Sequence, residues 1–211
     1  MSVYRGHGDE VKAALKADGV EYAISIGRRA PMHRVHADCL REIAATGLKP
    51  VFFIGSTNGA DSAFFDPVKN PLTLEQQKEQ LKRAVPELYD DALVMTLPDV
   101  GNQQRWLNGF YNKLQNTPFA GKSAVHYRIK AADAKDAGGA IRPLSQYADG
   151  FVARGVGAWE SRNLNAGDDD VNATAIRAFD LSKLTDAQKS LLAAPEYIVE
   201  LTKAARAANP A

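Results

Sequence analysis

His33 and His36 stand three residues apart, behind Gly27, Arg28, Arg29 and Pro31, where the apolar run 21–27 gives way to helical spacing over 35–46. Phosphate handling is the chemistry this combination suits. A helix N-terminus offers unpaired backbone N–H groups and a partial positive charge, so it already favours an anion. Two imidazoles and the Arg28 guanidinium add groups able to neutralise charge developing on a phosphoryl oxygen. The plain alternative is a pair of solvated loop histidines, the ordinary meaning of a bare H-x-x-H.

Whether such residues meet depends on the elements that carry them. The runs 21–27, 49–56, 91–98, 123–129 and 150–156 are nearly continuously apolar, which predicts strands of a parallel sheet covered on both faces. Helical spacing falls between them at 35–46, 73–85 and 101–115, and more weakly at 131–139. Repeated β-α units of this kind predict an α/β fold with a parallel sheet of about five strands. Further helices are expected near 174–179, 185–192 and 195–207, as a helical tail. Thr73 and Gln76 form a capping-box pattern at the start of the 73–85 helix, and Pro67 and Pro71 exclude helix before it. Segment 57–70 then reads as a long polar loop at the carboxyl end of the second predicted strand, where open α/β sheets bind ligands. No internal repeat or linker divides the chain. A single domain over 1–211 is expected, with its core at about 21–180 and the helical tail at about 181–211.

The segment Gly27–His36 resembles the G-R-F-x-P-x-H-x-G-H signature of the nucleotidylyltransferase superfamily, and above all the archaeal-type nicotinamide-nucleotide adenylyltransferases. Gly27, Arg28, Pro31, His33 and His36 match it, while Arg29, Ala30 and Val35 depart from it. Three later segments are similar to the same family, in family order. In "NPLTLEQQKEQL", Asn70, Pro71 and Thr73 match, with Gln76 and Gln77 where Glu and Arg are usual. "PDVGNQQRW" supplies Asp99, Asn102 and Trp106, and "VNATAIR" supplies Thr174, Ile176 and Arg177, with Asn172 in a serine position.

The resemblance implies a Rossmann-like nucleotidylyltransferase fold and adenylyl transfer from ATP to nicotinamide mononucleotide (NMN), giving NAD and pyrophosphate. It assigns ATP to Gly27, Arg28, His33, His36, Asn172, Thr174 and Arg177, and NMN to Asp99, Asn102 and Trp106. His33, His36, Arg28 and Arg177 are its catalytic set. Magnesium would arrive on the ATP phosphates rather than in a protein cage. The consecutive Asp168, Asp169 and Asp170 read as a solvated acidic turn, since like charges repel and a magnesium site takes only one or two protein carboxylates. Two other readings stay open: a sibling transferase with another phosphate acceptor, and a nucleotide-binding homologue without catalysis.

Composition narrows the classes. With 45% hydrophobic and 24% charged residues the chain suits a globular domain, and a net charge of +1 gives no global field for nucleic acid or anionic membrane. No apolar run is long enough to cross a membrane, and a single cysteine, Cys39, allows neither an internal disulfide nor a thiolate metal cage. A cytoplasmic protein is expected. The oligomeric state, a homo-oligomer included, is left open.

Overall fold

The computed structural model describes residues 3–27, 32, 34–55, 72–97, 100–131, 151, 154–164, 196 and 200. Six parallel strands run through them: β1 (Val3–Arg5), β2 (Tyr22–Gly27), β3 (Lys49–Ile54), β4 (Leu93–Thr96), β5 (Ala124–Ala131) and β6 (Val156–Leu164). The helices bounded within them are α1 (Asp9–Ala17), α2 (Arg34–Ala45), α3 (Leu74–Ala84), α4 (Pro86–Tyr89) and α5 (Gln103–Gln115). Strand order across the sheet is β1-β6-β5-β2-β3-β4, and every pairing is parallel. From β2 the chain steps outward through β3 to β4, then returns to the other side of β2 for β5 and β6. The direction of growth therefore reverses between β2 and β5.

Strands covered on both faces explain the apolar runs. In β3 the five residues Pro50–Ile54 are all buried, and in β2 Ala23, Ile24 and Ser25 are buried in succession. Alternate side chains serve two cores. Ala23, Phe52, Val125 and Trp159 pack with residues of α1 to α4 on one face. Tyr22, Ile24, Val51 and Phe53 pack with Leu107, Phe110 and Leu114 of α5 on the other. Helices thus lie on both faces, as expected for this α/β class.

Local signals set the helix ends. The expected capping box forms at α3: Thr73 Oγ1 accepts from the Gln76 N–H at 3.2 Å, and Gln76 Oε1 accepts from the Thr73 N–H at 2.9 Å. Pro86 then breaks the helix, so the predicted 73–85 ends at Ala84 and α4 restarts with the proline in its first turn. Helix α1 stops at Gly19, whose φ of 64° belongs to the left-handed region that favours glycine. Gly19 N–H then reaches Lys16 O and Val20 N–H reaches Leu15 O, which satisfies two terminal carbonyls.

Three differences from expectation are clear. Among the described residues the sheet has six strands rather than about five. The last predicted strand, 150–156, is displaced: Phe151 is helical and buried, and β6 begins at Val156. Strand β1 and helix α1 occupy an amino-terminal stretch for which no element was expected. The predicted loop 57–70 and nearly all of the tail helices lie outside the described residues, where only Glu196 and Glu200 are seen, both helical and exposed. No helix among the described residues is long and apolar enough to cross a membrane.

Candidate functional site

The reversal of strand order creates a crevice. Pairing between β2 and β5 extends only from Tyr22↔Ala124 to Ile24↔His126. Beyond that point β2 continues beside β3 to Gly27↔Ile54, while β5 follows β6 to Ala131↔Leu164. The sheet therefore opens at its carboxyl edge between two neighbouring strands, the position at which open α/β folds bind ligands.

Gly27 ends β2 beside this opening, and its carbonyl accepts from the Gly55 N–H at 3.1 Å. Half-buried His36 is the third residue of α2, in the turn of helix richest in unpaired N–H groups. Two long-range hydrogen bonds fix this region. The Met32 N–H donates to Gln80 Oε1 of α3 at 2.6 Å. Further along α2, Glu42 Oε2 accepts from the Tyr127 hydroxyl at 2.5 Å, tying the helix to β5 just past the split.

The opposite side is aromatic. Trp106, in the first turn of α5, is half-buried, lies nearly parallel to Phe110 at 6.3 Å and meets Phe151 edge-on at 6.3 Å. Asn102 is exposed and caps α5, its Oδ1 accepting from the Arg105 N–H at 2.9 Å. That cap uses the carboxamide oxygen and leaves amide N–H donors for a ligand.

Gly27, His36, Asn102 and Trp106 are thus the predicted site residues whose elements the structure describes. Arg28, His33, Asp99, Asn172, Thr174 and Arg177 lie outside the described residues, as do Asp168, Asp169 and Asp170. Among the described residues no cluster of three or more His, Cys, Asp or Glu side chains could hold a metal ion. Cys39 is buried in α2 and forms no disulfide.

Two residues at this site escape a reading of the sequence. His126 belongs to the last β2–β5 pair and lies 4.6 Å from the Phe151 ring, on the same face as Trp106. A lone histidine inside a predicted strand was its only signal. Gln80 is 1% exposed, although its stretch "EQQKEQ" looks like a solvent-facing helix surface. Only its tertiary partner reveals its place.

No family model and no curated protein matches the sequence. Solved structures do. One is a bifunctional NMN adenylyltransferase/ADP ribose pyrophosphatase from Francisella tularensis, with a TM-score of 0.61 and 20% identity over 87% of this chain. Another is a bifunctional enzyme of the same description and organism, complexed with AMP and a manganese ion, with a TM-score of 0.58 and 18% identity over 87% of the chain. The fold is theirs. It is the α/β Rossmann-like fold on one parallel sheet, and identities this low speak to the fold alone. The match takes in 49% of each of those chains, so this sequence spans about half their length.

Proposed function

We propose that the protein is a nucleotidyltransferase of the archaeal NMN adenylyltransferase type, which transfers the adenylyl group of ATP to NMN. The observation that carries this reading is the crevice between β2 and β5, with Gly27 and the His36-bearing first turn of α2 on one side and Trp106 and His126 on the other. Half of the site favours phosphate and half favours a planar ring, which is what a dinucleotide synthesis must hold together.

In this reading an oxygen of the NMN phosphate attacks the ATP α-phosphorus in line. The new P–O bond joins the two nucleotides, the bond from the α-phosphorus to the bridging oxygen breaks, and pyrophosphate departs with that electron pair. A phosphate monoester is anionic at neutral pH, so neither a general base nor a covalent intermediate is needed. Positioning and charge neutralisation remain. His33 and His36 hold the ATP phosphates, Arg28 and Arg177 neutralise the triphosphate and leaving pyrophosphate, and Gly27, Asn172 and Thr174 complete the nucleotide contacts. Asp99 and Asn102 hold NMN, and Trp106 stacks on its cationic ring. Magnesium enters as part of the substrate, on ATP oxygens.

The test is formation of NAD and pyrophosphate from NMN and ATP, in the unaltered chain and in His36→Ala. NAD formation that falls by about 10²–10³ in kcat in the folded variant is expected, the usual cost of one preorganised charge-stabilising donor. Unaltered turnover in His36→Ala removes His36 from the site, and no NAD from the unaltered chain overturns the reading.

A further inference from the structure

Three polar side chains are buried among the described core residues: Ser25, Gln77 and Gln80. Gln77 makes a long 3.5 Å bond to Leu72 O within its own element's approach. Gln80 does something different. Its Oε1 accepts the Met32 N–H at 2.6 Å across 48 residues of sequence, and Gln80 and Met32 are each 1% exposed. A backbone N–H can only donate, so the bond also fixes which end of the Gln80 carboxamide faces Met32.

Met32 lies between Gly27, which ends β2, and Arg34, which begins α2. Its side chain is sunk in the core formed with α2 and α3, so the backbone there is held by packing on one side and by Gln80 on the other. His33 is the next residue in sequence, and His36 stands four residues after Met32, in the first turn of α2. A buried N–H without an acceptor must find another partner or move toward water, and either shifts the backbone that leads into α2.

We propose that Gln80 is a positioning residue for the start of α2: by accepting the Met32 N–H from a neighbouring helix, it sets where α2 begins and hence where His36 meets the nucleotide. The inference rests on the adenylyl-transfer reading. In this role Gln80 acts through the Met32 backbone rather than on the reacting atoms. Its effect falls on transition-state alignment, which is more sensitive to small displacement than ground-state binding.

Gln80→Met keeps the volume and removes the acceptor. Leu81→Val, at the adjacent buried position of α3, softens the same packing and leaves the Gln80 acceptor for the Met32 N–H in place. Steady-state NAD formation is expected to show kcat lowered about 10–100-fold in Gln80→Met, with KM for ATP and NMN within about threefold, while Leu81→Val stays within about twofold in kcat. A Gln80→Met variant with unaltered kcat overturns the proposal, and so does a matching loss in Leu81→Val, which would show general softening. Should Gln80→Met fail to fold, hydrogen exchange in the unaltered chain decides. A Met32 amide as protected as those inside α3 supports the clamp, and free exchange there overturns it. The two failures are distinct: no NAD from the unaltered chain sinks the proposed reaction and Gln80's role with it, whereas NAD formation indifferent to Gln80 sinks only the latter.

Discussion

Trp106 combines two demands on one ring. Its near-parallel contact with Phe110 and edge contact with Phe151 anchor it in the core on the α5 face, yet it remains half-buried. An indole held this way is a stiff platform, and a cationic ring stacked on it gains about 0.5–2 kcal/mol. Trp106→Ala is therefore expected to weaken NMN binding by about 2–30-fold and leave ATP binding nearly unaltered, as measured by titration calorimetry of each substrate. Equal weakening of both substrates, with a stability loss near the 3–5 kcal/mol typical of a deleted core aromatic, would make Trp106 a core residue only. Spacing within a short stretch drew attention to Trp106 and His36. It could not do so for Gln80 or His126, whose partners come from distant parts of the chain.

Helix α2 is held in place at several points along its length. Besides the Tyr127–Glu42 bond, Arg41 donates to Glu87 at 2.8 Å and to the Ala84 carbonyl at 3.0 Å, joining α2 to the α3–α4 junction. A hydrogen bond to backbone at the start of α4, and then the Arg41 guanidinium, hold the Glu87 carboxyl below its ordinary range. A depressed folded-state pKa contributes stability above the unfolded value, and that contribution fades as pH falls through the folded one. Both side chains are about half exposed, so Glu87→Gln is expected to cost no more than about 1 kcal/mol at neutral pH. The difference should vanish in acid, and urea unfolding of both proteins at the two pH values checks it. A deficit that persists once glutamates are protonated would assign the effect to packing. The elements themselves were legible wherever apolar spacing was long and regular, as in β2, β3, α2 and α5. Strand β6 was not: "VGAWESRNL" mixes Trp159 with charged and polar residues, and the run 150–156 drew the prediction upstream.

At the scale of the molecule, β1 closes one edge of the sheet. Its three residues pair with Ala158, Trp159 and Glu160, the Trp159 indole N–H donates to Gly6 O at 3.0 Å, and Arg5 meets Glu160 at 3.2 Å. Deleting residues 1–8 is expected to lower Tm, by about 2–4 °C for each kcal/mol lost, and to promote self-association through the bared edge of β6. Calorimetry and size-exclusion chromatography check both effects. A monomer with unaltered Tm would show that β1 is dispensable. The parallel α/β architecture was readable from alternating strand and helix signals. A strand as short as β1 carries no period of its own and exists only through its partner.

That partner comes late. Arg5 and Glu160 are 155 residues apart, so during synthesis the first of the six strands waits roughly 10–30 s before its neighbour has been made. Throughout that interval Tyr4 has no Trp159 strand to lie beside, and once β5 has joined, the growing sheet ends there until β6 follows. The earliest of these strands is thus among the last to be seated, and the nascent sheet stays open along one side until β6 appears.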